Sequence, residues 1–192
     1  MSRIKQVISL IGMPGGGKST IGKLLARRLE LNFVDVDATI ERESGCTIAD
    51  LFGQEGEPAF RQHEADALSR LVRTGPSVIA TGGGAVLSGA SRELLRSETF
   101  PVYLFAPPAE LWRRVRKNSR RPLLRVADPY ARLCELFEQR HGLYCEVAAL
   151  TVETGRSSLR SAVEDILARL QRSGRVVDAE ASQTAGPGRA LS

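Results

Sequence analysis

Apolar residues along this chain come in short runs, and longer stretches with helical periodicity lie between them. Val7–Ile11 reads as a buried strand leading into a glycine-rich loop. From about Lys18 to Leu29 the positions Ile21, Leu24, Leu25 and Leu29 follow i, i+3, i+4 spacing, interrupted by Arg28, and predict a helix. Phe33–Val36 is a second short strand that ends among carboxylates. Asp37–Glu43 and Ile48–Phe52 predict short helices divided by Gly45. Glu57–Arg73 predicts a longer one, with Phe60, Ala67, Leu68, Leu71 and Val72 on its inner side. Val78–Ala80 is a third strand, followed closely by Gly82-Gly83-Gly84. Ser91–Arg96 predicts a helix, Val102–Phe105 a fourth strand, and Glu110–Lys117 and Tyr130–Tyr144 two further helices. Leu150–Val152 is a fifth strand and Ser158–Arg172 a closing helix. Strands separated by helices are the pattern of a five-stranded parallel sheet covered on both faces, an α/β architecture. From about Gly174 onward periodicity is lost and Ala, Gly and Ser dominate. Residues 174–192 are therefore read as a disordered tail to a single domain spanning 1–173.

Composition narrows the class. Hydrophobic residues at 42% and charged residues at 26% of 192 are ordinary globular usage, which excludes a fibrous or wholly disordered chain. The apolar runs fall far short of the roughly 20 residues a membrane helix needs. The N-terminal run is short and leads into glycines, unlike a signal peptide. Cys46, Cys134 and Cys145 are an odd count without metal-type spacing and fit free thiols in a reducing compartment. A soluble, cytoplasmic protein without a membrane partner is expected.

Charge matters through its placement. The chain carries 27 Lys and Arg against 22 Asp and Glu, for a net charge of +5. Seven of the cations fall between Arg113 and Arg125, a span without a carboxylate. Such a run is a solvated basic segment, a nucleic-acid patch or a lid over a polyanionic small molecule. A base-stacking surface would interleave aromatics with cations, and Trp112 alone stands nearby, so no nucleic-acid partner is expected.

The segment Gly12-Met13-Pro14-Gly15-Gly16-Gly17-Lys18-Ser19 fits G-x-x-x-x-G-K-[ST] throughout, after a strand and at the start of a helix. A phosphate held by backbone N–H groups needs a loop nearly free of side chains, and the helix N-terminus adds partial positive charge. A plain strand–turn–helix connection would need one or two glycines and no Lys-Ser. Lys18 is expected on the β- and γ-phosphates and Ser19 on Mg²⁺. The guanine-reading N-K-x-D of a GTPase is absent, and the D-x-x-G match at Asp50–Gly53 falls in a helical stretch. A small kinase for a metabolite fits the length better.

Asp35 and Asp37 close the second strand, at the sheet edge where ligands bind in open parallel sheets. One carboxylate suits Mg²⁺ or its waters, and the other suits orientation and deprotonation of a hydroxyl. Alternatively, Asp37 caps the following helix. Arg61 and Arg140 are each open to a surface role or a binding role. Three consecutive glycines at 82–84 are poor helix and strand material and suit a backbone that approaches a ligand closely; some bulges and tight turns look the same.

The segments GMPGGGKST, DVD, GEPAFR, TGGGAV, RRPLL and QRHGLY stand in the order and at about the spacing found in shikimate kinases. From about Val7 to Leu170 the chain resembles that family; the triple glycine together with R-P-L-L is the specific part. The resemblance implies a three-layer P-loop kinase fold with an acceptor-binding region at about 35–64 and a mobile lid at about 113–128. It implies a monomer that uses Mg²⁺ and transfers the γ-phosphoryl group of ATP to the 3-hydroxyl of shikimate, in the chorismate route to aromatic amino acids. On this likeness Gly15, Gly16, Gly17, Lys18, Ser19 and Thr20 hold the phosphates. Asp37 binds acceptor hydroxyls as the candidate base, and Asp35 stands near Mg²⁺ through water. Arg61 and Arg140, with the backbone of Gly82, Gly83 and Gly84, grip the shikimate carboxylate. Arg121 descends from the lid onto the phosphates, Arg114 packs on adenine, and Arg156 makes a further adenine-side contact. Arginine suits these places because its planar fork meets a carboxylate with two parallel hydrogen bonds. A kinase for another small acid such as gluconate would share the loop but not the triple glycine with R-P-L-L. A nucleoside monophosphate kinase would need a site for a second base. Replacing Lys18 by Ala should abolish transfer, because charge on the moving phosphoryl group is no longer neutralised; near-normal ADP release would overturn the phosphate-loop reading.

Overall fold

The alternation of side chains along β2 (Val7–Ile11) sets the layering of the molecule. Ile8 and Leu10 are buried on one face of the strand, and Val7 and Ile11 on the other. A strand apolar on both sides needs cover on both sides, and crossover helices supply it. The computed structural model describes residues 3–4, 6–116, 126–155, 158–173 and 176–177. From β2 the chain passes into α1 (Lys18–Leu29), β3 (Asn32–Asp35), α2 (Val36–Ser44), α3 (Ile48–Leu71) and β4 (Ser77–Ala80). A 3₁₀ turn (Ala85–Leu87) precedes α4 (Gly89–Glu98), β5 (Thr99–Phe105), α5 (Pro108–Val115), α6 (Pro129–Val147), β6 (Leu150–Glu153) and α7 (Leu159–Arg172). The strands lie in the order β3-β4-β2-β5-β6, and every neighbouring pair is parallel.

Two apolar layers follow from this order. Residues of α1 and α7 pack with Ile8, Leu10, Val78, Val102 and Leu104 on one face. Residues of α2 to α6 pack with Val7, Ile11, Ile79 and Tyr103 on the other. The expected five-stranded parallel sheet between helical layers is thus what the chain forms. The carboxyl ends of β2, β3 and β4 share one edge, so the glycine loop, Asp35 and Gly82–Gly84 gather there. No described helix is long and apolar enough to cross a membrane.

Several boundaries differ from the expected ones, for local reasons. β3 stops at Asp35, whose carboxylate accepts from the Ala38 N–H at 3.4 Å and caps α2. The capping role considered for Asp37 therefore belongs to Asp35, and Asp37 sits in the first turn. The helices expected at 48–52 and 57–73 both form within α3, which is kinked between them at the non-helical Gly56 (φ 81°, ψ 170°), two residues before Pro58. Asp50, with its chance D-x-x-G spacing, closes a capping box with Thr47 at the start of α3. Val176–Val177 (β7), within the expected tail, pairs antiparallel with Arg3–Ile4 (β1), an element too short to show periodicity. The rest of the expected tail, and residues 117–125 of the expected lid, lie outside the described residues.

One polar pair is enclosed between the layers. The Ser9 and Thr99 hydroxyls are 2.7 Å apart, and Thr99 Oγ1 donates to the Leu95 carbonyl at 2.6 Å. Thr99→Val keeps the shape but strands the Ser9 hydroxyl, and should cost about 1–2 kcal/mol in urea unfolding. An unchanged midpoint would show that Ser9 finds another partner.

Candidate active site

The loop between β2 and α1 is built so that its carbonyl oxygens are engaged from outside. Lys18 Nζ donates to the carbonyls of Gly12 (2.7 Å) and Met13 (3.1 Å). Gly16 N–H also donates to Met13 O, at 3.0 Å, and Ile21 N–H to Gly17 O, at 2.8 Å. Arg114 Nη1 donates to Gly15 O at 3.1 Å, and Thr154 Oγ1 to Gly16 O at 3.2 Å. Gly17, the N-cap of α1, takes a left-handed conformation at φ 93°, which a side chain would strain. With the carbonyls bound, the α1 N-terminus and Lys18 present positive charge to the adjoining cleft. That cleft, about 640 Å³, is lined by Gly15, Gly17, Lys18, Ser19 and Thr20 from the loop. Asp35, Asp37, Thr81, Gly83, Arg114, Ser158 and Leu159 complete its wall.

At one side of the cleft Ser19 Oγ donates to Asp35 Oδ2 at 2.6 Å. Among the described residues no group of three or more His, Cys, Asp or Glu could hold a metal. The hydroxyl and carboxylate oxygens are hard donors, however, and fit a Mg²⁺ ion that takes its remaining ligands from phosphate and water.

Beside the cleft lies a largely buried cluster of charged side chains. Arg61, from α3, donates through Nη1 to Glu64 Oε2 and through Nη2 to Glu57 Oε1, each at 2.8 Å. Its guanidinium lies 5.3 Å from the Phe60 ring centre and 5.8 Å from that of Phe52. A Cβ on Gly84 would overlap this guanidinium. A Cβ on Gly82 would overlap Glu64 Oε1 and stand 2.8 Å from Asp37 Oδ1. The glycines at 82 and 84 are therefore needed by the protein's own side chains, whereas the sequence suggested a closely approaching ligand, a bulge or a tight turn. At Gly83 a Cβ would sit 3.1 Å from Pro14 Cδ, so the glycine loop abuts the phosphate loop.

Arg140, from α6, is 2% exposed and donates through Nη1 to Gly83 O at 3.1 Å. Tyr144, also from α6, donates its hydroxyl to the same oxygen at 2.5 Å. The Nε groups of Arg61 and Arg140 and Glu64 Oε1 are buried without a hydrogen bond among the described residues. A polar group of a ligand or a buried water would satisfy them.

The electrostatics are correspondingly strained. Burial raises the pKa of Glu64; attraction from Arg61 opposes the rise, and repulsion from Asp37 adds to it. Burial works against the charge on Arg61, but Glu64 and Glu57 outweigh it and raise its pKa. For Arg140 burial prevails, and its pKa is lowered.

The residues expected from the sequence fall into two neighbouring groups. Gly15, Gly17, Lys18, Ser19, Thr20, Asp35, Asp37, Gly83 and Arg114 share the cleft. Arg61, Arg140, Gly82 and Gly84 belong to the charged cluster, joined to the cleft at Asp37 and Gly83. Gly16 lies in the loop with its N–H on Met13. Arg114 is tied to Gly15 O and to the carbonyls of Thr154 and Gly155, at the cleft wall. Arg121 and Arg156 lie outside the described residues. Glu64, Tyr144, Thr154 and Leu159 escaped the sequence reading. Glu64 stands three residues after Arg61 and Tyr144 four after Arg140, helical spacings that bring them alongside. Thr154 carries no such signal. His141 is half-buried against Tyr103 and Phe137, and His63 is exposed and paired with Glu55.

A loop shaped for a polyphosphate, beside a buried cluster with two arginines, suits a nucleoside triphosphate next to a small acid. That is the design of a small P-loop kinase. A profile of the family described as shikimate kinase matches residues 14–171. The shikimate kinase of Nitrosospira multiformis is 45% identical over 168 residues, covering 88% of this chain and 86% of that protein. The solved structure of a shikimate kinase from Acinetobacter baumannii in complex with shikimate matches with a TM-score of 0.86 at 38% identity, over 88% of this chain and 94% of the other. That of a shikimate kinase from Aquifex aeolicus matches with a TM-score of 0.77 at 31% identity, over 88% and 98%. The chain belongs to the shikimate kinase family.

The raised pKa of Glu64 has a measurable consequence for stability. The folded chain holds this proton more tightly than the unfolded chain, so the linked stability is complete below the ordinary value of 4.5 and is lost as pH rises through the raised one. Urea unfolding from pH 4.5 upward to neutrality should therefore show the wild-type chain losing stability relative to Glu64→Gln. A difference that stays constant with pH would show that Glu64 titrates as an ordinary carboxylate.

Proposed function

We propose that this protein transfers the γ-phosphoryl group of ATP to the 3-hydroxyl of shikimate, giving shikimate 3-phosphate and ADP. The observation that carries this reading is the junction at Gly83, which lines the phosphate-loop cleft with Asp37 and whose carbonyl is bound by the buried Arg140, in the same charged cluster as Arg61. Arg61 and Arg140 each keep a buried Nε–H without a partner, which suits a carboxylate that takes hydrogen bonds from both. Held there, the acceptor ring presents a hydroxyl to the cleft near Asp37. The hydroxyl oxygen attacks the γ-phosphorus, the bond to the β,γ-bridging oxygen breaks, ADP leaves, and Asp37 accepts the hydroxyl proton.

Lys18 and the α1 N-terminus neutralise charge on the transferred group, which is the main demand of phosphoryl transfer. Ser19 and Asp35 would hold Mg²⁺, Asp35 through water; when bound, the ion neutralises β- and γ-phosphate oxygens. In this reading Arg121 reaches the phosphates from a lid at about 113–128, Arg114 borders the adenine and Arg156 adds a contact there. Gly15, Gly16, Gly17 and Thr20 complete the phosphate cradle, and Gly82 and Gly84 leave room for the acceptor clamp. In this reading the protein is a cytoplasmic monomer without a nucleic-acid or membrane partner.

A coupled assay of ADP release with ATP and Mg²⁺ tests the reading, comparing shikimate, gluconate and no acceptor. Shikimate should raise ADP release at least about a hundredfold above the blank. Dependence on gluconate instead would keep the phosphate loop and overturn the arginine clamp. Equal release in all three would overturn the acceptor assignment.

A further inference from the structure

Tyr144 stands one helical turn beyond Arg140 on α6, and its side chain is completely buried. Burial of a phenol is unfavourable unless its hydroxyl is bonded, and a phenylalanine would fill the same space without that cost. The Tyr144 hydroxyl donates to Gly83 O at 2.5 Å, while Arg140 Nη1 donates to the same oxygen at 3.1 Å. A carbonyl oxygen has two lone pairs, and here one helix supplies a donor to each. Arg140 and Tyr144 therefore meet at one acceptor, and with Gly83 they form a triangle about its oxygen. Tyr144 Oη further lies 3.8 Å from Met13 Sδ, within the phosphate loop. Tyr103 stacks on the Tyr144 ring at 4.9 Å, but its own hydroxyl is engaged with His141 Nδ1 at 3.0 Å. It is therefore a packing neighbour and not a substitute donor.

We propose that Tyr144 is a positioning residue for acceptor binding: its hydroxyl fixes the Gly83 peptide and the Arg140 guanidinium in one arrangement, and seats the glycine loop against the phosphate loop. The inference rests on the assignment of Arg140 to the acceptor carboxylate. A buried arginine held by one Nη presents its remaining N–H groups without a conformational search, whereas one sharing Gly83 O with no second donor is free to turn about that oxygen. The loss should fall on the acceptor and not on the nucleotide.

The test is Tyr144→Phe in the full chain, with shikimate titrated calorimetrically and steady-state constants measured for both substrates. Shikimate affinity should weaken about tenfold, the loss of one buried hydrogen bond, with the KM for ATP within about twofold. Tyr103→Phe, which removes a hydroxyl from the same aromatic cluster, should leave shikimate affinity unchanged. In an Arg140→Lys background Tyr144→Phe should add little, because both changes break the same triangle. Shikimate affinity within about twofold of wild type overturns the proposal. So do equal losses for shikimate and ATP, which indicate general damage, and full additivity with Arg140→Lys. A wild-type chain that does not respond to shikimate overturns the functional reading, and this inference with it.

Discussion

A loop that holds a polyphosphate must keep its own carbonyl oxygens from repelling it, and much of this molecule is arranged around that requirement. The carbonyls of Gly12, Met13, Gly15, Gly16 and Gly17 all accept hydrogen bonds, from Lys18, Gly16 N–H, Arg114, Thr154 and Ile21 N–H. These donors come from the loop, from α1, from α5 and from the end of β6. The parallel sheet brings them together, because β2 lies between β4 and β5 and β6 follows β5. The crossover helices that cover the sheet are the elements that carry the loop's supports.

The acceptor side obeys an opposing constraint. Arg61, Glu64 and Arg140 are charged groups largely withdrawn from water, which is tolerable only where partners are close. Glu64 holds Arg61 in place, and the glycines at 82 and 84 leave space for both. The cost of this arrangement is visible in the raised pKa of Glu64, pressed by burial and by Asp37. Gly83 joins the two halves: one side of its peptide meets Pro14 of the phosphate loop, and its carbonyl is bound by α6.

Much of the architecture was legible in the chain. The five apolar runs that became β2 to β6, and the helices between them, differ from expectation by a few residues at their ends, where capping decides the boundary. Asp35 illustrates this: its carboxylate caps α2, so the strand ends one residue earlier than its apolar run. The break at Gly56 was legible as Gly and Pro in sequence. The β1–β7 pair joins residues from the two ends of the chain, and no local pattern announces such a pairing. For the site, the phosphate loop was legible because a backbone cradle demands glycines at fixed positions. Glu64 and Tyr144 were missed because an acid or tyrosine on a helix looks the same whether it meets water or a buried arginine.

By itself the sequence determined the α/β class, the phosphate loop and the identity of the charged groups available to an acceptor, since these follow from periodicity, backbone conformation and side-chain chemistry. Tertiary structure alone decided which groups meet. Gly83 and Arg140 are 57 positions apart, and Gly16 and Thr154 are 138 apart, yet each pair is in hydrogen-bond contact. Partnership at such separations depends on strand order and helix placement, which emerge only when the whole core packs, because no short segment contains both members of the pair.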